Sequence, residues 1–453
     1  MREPRPRKLL ARLGPRLLAL LLLASAASAD PGLEDPAARV RTTRLENGLT
    51  LLTLEDRTTP VVSFQMWVRV GSRDEARYTG LAHLFEHLMF KGSQHIKPEQ
   101  HARLIQARGG EVNAFTTNDF TVFLDDVTPE ALPLAIALEG ERVANLDISE
   151  ATLASEREVV LEERRLRTED DPEGRAFEAL MALAFTAHPY RTPVIGWRSD
   201  VEAATVDVAR QFFRTYYAPN NIWIVIVGDF DSEQALADVR KAFGGLAPVD
   251  PIPRNPTREP EQHGERRQVV HIDVRSPILA GAWHAPASGH ADAEALDVAS
   301  QILSGGRSSR LYRRLVHEGQ KALSAEGAYW ELADAGIFYA FASVRPDAKI
   351  EDVERLFLAE IARLRSEFVS ESELEKAKRQ LEVSLVNGLA TNHALASRIA
   401  QETLLFGRVR SLEERLAAIT RVTAADVQRV ARSYLIDENR SLVHVKAADG
   451  KKS

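Results

Sequence analysis

The chain has 453 residues, 44% of them hydrophobic and 27% charged, with a formal net charge of −7. That is a folded protein too long for one ordinary core, with room for two domains of about 200 residues each, and its charge gives no basis for a nucleic-acid surface. It contains no cysteine, which excludes disulfides, thiolate metal ligands and a cysteine nucleophile, so any bound metal must rest on His, Asp or Glu.

Residues 1–29 stand apart from the rest. Arg2, Arg5, Arg7, Lys8, Arg12 and Arg16 form a basic leader, followed by a leucine-rich run at 17–23 and by Ala27-Ser28-Ala29 just before Asp30. This order predicts a cleaved secretory signal peptide; its apolar run is short beside the roughly 20 residues of a spanning helix. The expectation is a mature chain without a membrane span, exported to a compartment such as the bacterial periplasm.

A first block follows at 40–249. Residues 51–54 and 61–70 have strand character, 80–90 and 98–107 look helical, and 111–127 reads as a strand hairpin rich in Thr, Phe and Val. Three helical patterns come next, around 129–145, 150–168 and 173–184. The helix at 80–90 contains His83-Leu84-Phe85-Glu86-His87. Residues four apart on a helix lie one above the other, so His83 and His87 face the same way and can share a metal. Glu86, near that face, could reach a water at the metal without being a ligand. This H-x-x-E-H order is the inverted form of the usual zinc-protease signature.

A catalytic zinc takes a third protein ligand. The acidic helix after Ser149 offers Glu156, Glu158, Glu162 and Glu163. Glu156 and Glu163, seven apart, share a face, whereas Glu162 is turned about 100° from Glu163. Periodicity alone leaves the choice among the four open.

A proline-rich, charged linker at 250–267 leads to a second block at 268–447. It carries a strand at 277–283, a helix near 292–304, strands near 324–331 and 336–343, and long helices after 349. Neighbouring strands beside long helices imply an α+β layered arrangement. Both blocks end alike. Thr205 and Thr423 open amphipathic helices that close on Tyr216 and Tyr434; turns with Asn221 and Asn439 follow, then an apolar strand. The constant offset of these pairs predicts a duplicated domain.

The segments HLFEH at 83–87 and EREVVLEE at 156–163 closely resemble the pitrilysin/insulinase family of zinc peptidases, which includes mitochondrial processing peptidase. The resemblance covers nearly all of the chain after residue 29. It implies two homologous domains of the LuxS/MPP-like metallohydrolase fold, each an antiparallel-rich sheet layered with helices, the first catalytic. It implies one zinc ion on His83, His87 and Glu163, with Glu86 as catalytic base and Glu156 as a second acidic residue of the catalytic set. GGEVNAFTTNDFTVF from Gly109 resembles the family's edge strand, on which peptide substrate is laid, with Asn113, Ala114 and Phe115 as substrate-binding positions. HPYRTPVIGW from His188 also resembles the family. One departure stands out: members acting alone carry an Arg and a Tyr seven apart in the second half, where this chain has Val316 and Leu323. The resemblance therefore points to a homologous partner subunit that lacks the zinc motif and supplies the Arg/Tyr pair. The expected activity is hydrolysis of short or unfolded peptides, with a non-catalytic structural or peptide-binding subunit as the alternative.

Overall fold

The computed structural model describes residues 35–448, so the leader lies outside the described residues. Two sheets organise the chain. The first has six strands in the order β1-β2-β6-β3-β5-β4. They are β1 (Arg41–Arg44), β2 (Thr50–Glu55), β3 (Val62–Val68), β4 (Glu111–Thr116), β5 (Thr121–Val127) and β6 (Ile222–Gly228). All neighbours are antiparallel except the parallel pair β2 and β6. The second sheet runs β7-β11-β8-β10-β9, from β7 (Arg266–Ile272), β8 (Ile278–Ala285), β9 (Ala322–Trp330), β10 (Gly336–Val344) and β11 (Arg440–Ala447). Here too only the outer pair, β7 with β11, is parallel. Strand by strand, β2, β6, β3, β5 and β4 correspond to β7, β11, β8, β10 and β9. β7 starts at Arg266, inside the stretch read as linker.

The longer helices are α1 (Leu81–Leu88), α2 (Gln100–Gln106), α3 (Leu132–Asn145), α4 (Glu150–Arg164), α5 (Pro172–Ala184), α6 (Val206–Tyr216) and α7 (Ser232–Phe243) in the first half. The second half adds α8 (Ala293–Ser304), α9 (Ile350–Ser366), α10 (Glu371–Asn387), α11 (Asn392–Phe406), α12 (Leu412–Arg421) and α13 (Ala424–Tyr434). The pattern read as one helix over 150–168 is α4 plus a π-helical turn, Arg165–Glu169; Asp171 then caps α5 by accepting from the Gly174 amide.

The matched block ends make matched bonds. Thr205 and Thr423 cap α6 and α13. The Asn221 side chain donates to the carbonyls of Tyr216 (2.8 Å) and Arg69 (3.2 Å), and Asn439 donates to those of Tyr434 (2.7 Å) and His284 (2.8 Å). The hydroxyl of Tyr216 donates to the Asp74 carbonyl at 3.0 Å, and that of Tyr434 to the Asp292 carboxylate at 2.8 Å.

Each half lends a helix to the other's sheet. α5 buries Ala176, Leu180 and Met181 against Ile278, Ala280, Val443 and Val445 of the second sheet. α11 buries Leu395, Ala396, Ile399 and Ala400 against Trp67, Val122, Val225 and Val227 of the first. This explains why β3 is buried along its whole length rather than alternating. Its one long polar residue, Gln65, donates to the His393 carbonyl (3.0 Å) and to Ser397 Oγ (3.1 Å) on α11, and accepts from the Trp67 indole at 3.0 Å. An ionic cluster around the buried Arg73 and Asp119 ties the halves near the β4–β5 turn. Arg73 Nη1 lies 2.9 Å from Asp119 and 3.1 Å from Asp334, the Tyr190 hydroxyl donates to Asp119 at 2.7 Å, and the Ala333 amide donates to it at 3.1 Å.

Candidate metal centre

α1 is short, and its start is fixed from outside. Gly80, at φ 86°, and Gly196, at φ 79°, meet so closely that a Cβ on Gly196 would lie 2.5 Å from Gly80 Cα. The buried Glu75 carboxylate accepts from the amides of Gly80 and Ala82, both at 2.8 Å, and so satisfies the open end of the helix. Glu75 gave no sequence signal, because its partners lie across a loop. Phe85, on the side of α1 that enters the core, stacks on Phe212 and Phe213 of α6.

His83 and His87 have ring centroids 4.8 Å apart. Their Nε2 atoms point at one oxygen, Glu163 Oε2, at 3.6 and 3.2 Å, and the three donor atoms lie within 4.8 Å of one another. Two imidazoles and one carboxylate form a donor set that fits a four-coordinate catalytic metal with one position open. Burial and the neighbouring His87 push His83 down to about 4, which keeps its ring neutral with a lone pair to offer. Burial also opposes charge on His87, but the carboxylates of Glu156 and Glu163 outweigh it and raise the group to about 9. The carboxylates thus favour positive charge at this spot.

The alternatives left by periodicity separate cleanly. Glu162 is exposed and paired with Arg165 at 2.6 Å, and Glu158 is exposed. Glu156 is buried behind His87, its Oε2 3.7 Å from Nδ1, and Lys91 Nζ lies 3.3 Å from Oε1. It does not line the cavity, so it orients an imidazole rather than touching a substrate; its place is support, not chemistry. His83 Nδ1 is buried without a hydrogen-bond partner, so that ring is held by packing. Arg167, one turn beyond Glu163, pairs with it at 2.9 Å.

Glu86 faces a cavity of about 590 Å³ together with His83, His87 and Glu163. Burial raises its proton affinity, partly offset by the Thr116 hydroxyl, which donates to it at 2.7 Å. Thr116 sits on β4, the edge strand of its sheet, and was not singled out in the sequence although it lies within the quoted strand segment. Asn113, Ala114 and Phe115 of the same strand line the cavity. The Asn113 side chain accepts from the Ala114 amide at 2.9 Å, while Phe115 turns its ring edge-on to Trp67 at 5.9 Å. Tyr190 and Ile195 of the HPYRTPVIGW segment also line it. From the second half Trp330 alone does so among the described residues. Val316 packs into the second half's core and Leu323 is exposed on β9; neither reaches the cavity.

Residues 50–197 match the family model described as insulinase (peptidase family M16), and residues 203–381 match the peptidase M16 inactive domain. The chain is 30% identical over 407 residues to the zinc protease PqqE of Helicobacter pylori, covering 89% of this chain and 91% of that protein. It is 33% identical over 409 residues to an uncharacterized zinc protease of Mycobacterium tuberculosis, covering 88% and 92%. Among solved structures, a protease from Helicobacter pylori superposes with a TM-score of 0.87 at 29% identity, over 90% of this chain and 99% of that one. A peptidase M16 inactive domain from Pseudomonas fluorescens shares the fold, with a TM-score of 0.81 at 19% identity over 91% and 99%. With its inverted histidine–glutamate helix in the first half and a second half built to the same plan, the chain belongs to the insulinase (pitrilysin) family of peptidases, family M16.

Proposed function

We propose that this chain is a zinc-dependent endopeptidase acting on short or unfolded peptides, with its chemistry confined to the first half. The observation that carries the reading is the convergence of His83, His87 and Glu163 on one point, with Glu86 beside them on the same cavity. Those three side chains would hold a zinc ion, which would supply Lewis acidity toward the scissile carbonyl and a water. Glu86 takes that water's proton on its carboxylate and returns it to the leaving amine. The raised proton affinity of Glu86 suits both halves of the transfer, and the Thr116 hydroxyl fixes its orientation. The free edge of β4 offers main-chain groups to an extended peptide, which would favour breadth of sequence over selectivity.

The reading extends to a partner. Trp330 is a narrow contribution to the cavity wall from the second half, and Val316 and Leu323, which do not reach the cavity, occupy the positions that by resemblance hold an Arg and a Tyr in members acting alone. A homologous subunit without the zinc motif would supply them. The basic, leucine-rich leader supports export, with the periplasm of a bacterium as the site of action.

The test is cleavage of a mixed, unstructured peptide library by the purified mature chain, with and without a zinc chelator and with and without a co-expressed partner. Chelator-sensitive cleavage supports the proposal, and dependence on the partner supports the divided site. Substituting His83 or Glu163 by Ala should remove bound zinc, measured by metal analysis. Zinc retained at full occupancy with no cleavage, even with the partner, would instead make the chain a structural or peptide-binding subunit.

A further inference from the structure

A second cavity, about 400 Å³, occupies the position in the second half that the metal cavity occupies in the first. The correspondence is residue by residue along the exchanged helices. α5 lines the metal cavity with Gly174, Phe177, Glu178 and Met181, and α11 lines the second with Ala394, Ser397, Arg398 and Gln401, at the same spacing. α8 stands where α1 stands, α10 where α4 stands, and Glu331 follows Trp330 at the end of β9.

The walls carry charges of both signs. On one side Arg398, Arg410 and Arg415 share a single buried carboxylate, Glu402, at 3.4, 3.8 and 2.8 Å. Arg398 Nη1 is buried with no hydrogen-bond partner. On the other side the Asp297 carboxylate, partly exposed, has neither a hydrogen bond nor an ion pair among the described residues; only its main-chain carbonyl is bonded, accepting from Ser300 Oγ at 3.1 Å. Glu294 and Glu331 flank it; Glu294 lies 3.6 Å from Arg410, and Glu331 accepts from the Gly289 amide at 3.0 Å. Burial, with these two acids, pushes Asp297 up to about 7. The Asp297 carboxylate thus faces the cavity without a protein partner, and the three arginines have one buried carboxylate among them.

We propose that this cavity binds a small zwitterion, a free amino acid or dipeptide, with its ammonium on Asp297, Glu294 and Glu331 and its carboxylate on Arg398 and Arg415. An ammonium supplies the donors that the Asp297 carboxylate lacks, and a carboxylate adds a second anion to arginines that share Glu402. The inference does not depend on the metal site.

The test is calorimetric titration of the full chain carrying Glu86→Gln, so that nothing is cleaved, with the dipeptide alanyl-leucine. The expected result is saturable one-to-one binding. Asp297→Asn and Arg398→Gln should each weaken it about tenfold or more, as loss of a charge-assisted bond implies. Acetylation of the dipeptide amine should do the same. Melting curves check that the variants fold, and Glu331→Gln serves as a second acidic variant if Asp297→Asn does not. No saturable heat at up to about 10 mM dipeptide, a range reaching millimolar affinities, overturns the proposal. So does equal binding by folded Asp297→Asn and Arg398→Gln, or loss of binding in His83→Ala alone, which would put the dipeptide in the metal cavity.

Discussion

The two halves share a strand order, a pair of capped terminal helices and a cavity in the same place, yet only one of the two cavities is lined by a set of side chains fit to hold a metal. In the first, His83, His87 and Glu163 converge within 4.8 Å. In the second, α8 presents Ala293, Glu294 and Asp297 instead, and Arg398 stands in place of Glu178. The fold therefore builds the pocket, and a few side chains on one helix decide what it does. The second sheet's other task is to cover α5, which lines the cavity of His83, His87 and Glu163, so the second half still shapes the site in the first.

The sharpest way to break the comparison is to neutralise one carboxylate in each cavity. Glu86→Gln should lower turnover by about 10²–10⁴-fold, the usual contribution of a general base, with zinc content unchanged; undiminished kcat would remove Glu86 from the mechanism. Cutting the tie between the halves should cost the next most. Arg73→Met leaves Asp119 buried without its cation, at about 3 kcal/mol or more, read as a fall in denaturant midpoint.

Asp297→Asn should act in the opposite sense on stability. Because the folded-state value, about 7, lies above the ordinary Asp value of 3.8, the folded chain binds the proton more tightly than the unfolded one. The group then costs nothing below pH about 4, and its penalty grows as pH rises through 7, to on the order of 2–4 kcal/mol. The melting temperatures of wild type and Asp297→Asn should coincide near pH 4 and diverge by pH 8, with the variant higher and peptide cleavage unchanged. A constant gap across that range would mean that Asp297 is ionised throughout. The smallest effect belongs to the support of the metal helix. Glu156→Gln should weaken zinc binding by about 10–100-fold, measured by competition with a chelator, without changing the residues that touch substrate.

What the sequence made legible was whatever depended on local spacing. His83 and His87 four apart, Glu156 and Glu163 seven apart, and the paired Thr, Tyr and Asn of the block ends all act through their own helix or the next turn, and the matched bonds of Asn221 and Asn439 follow from that. The choice of Glu163 over Glu162 came from family resemblance. The geometry agrees because Glu162 is spent on Arg165 and points outward. Contacts made at long range stayed hidden. Glu75 holds α1 across a loop, Thr116 reaches Glu86 from another strand, and the exchange of α5 and α11 leaves no periodic trace. β1 and β7 escaped notice because their exposed, polar residues do not alternate as half-buried strands do.

The exchanged helices make neither half a self-sufficient folding unit. Expressed alone, residues up to the connector would carry α5 with no sheet to cover and a first sheet missing its lid, and the remainder would lack the same things in mirror image. Two such fragments are each other's missing parts. Mixed, they should reassemble by complementation, and a single proteolytic nick near residue 255 should pass unnoticed in a melting curve that still shows one cooperative transition.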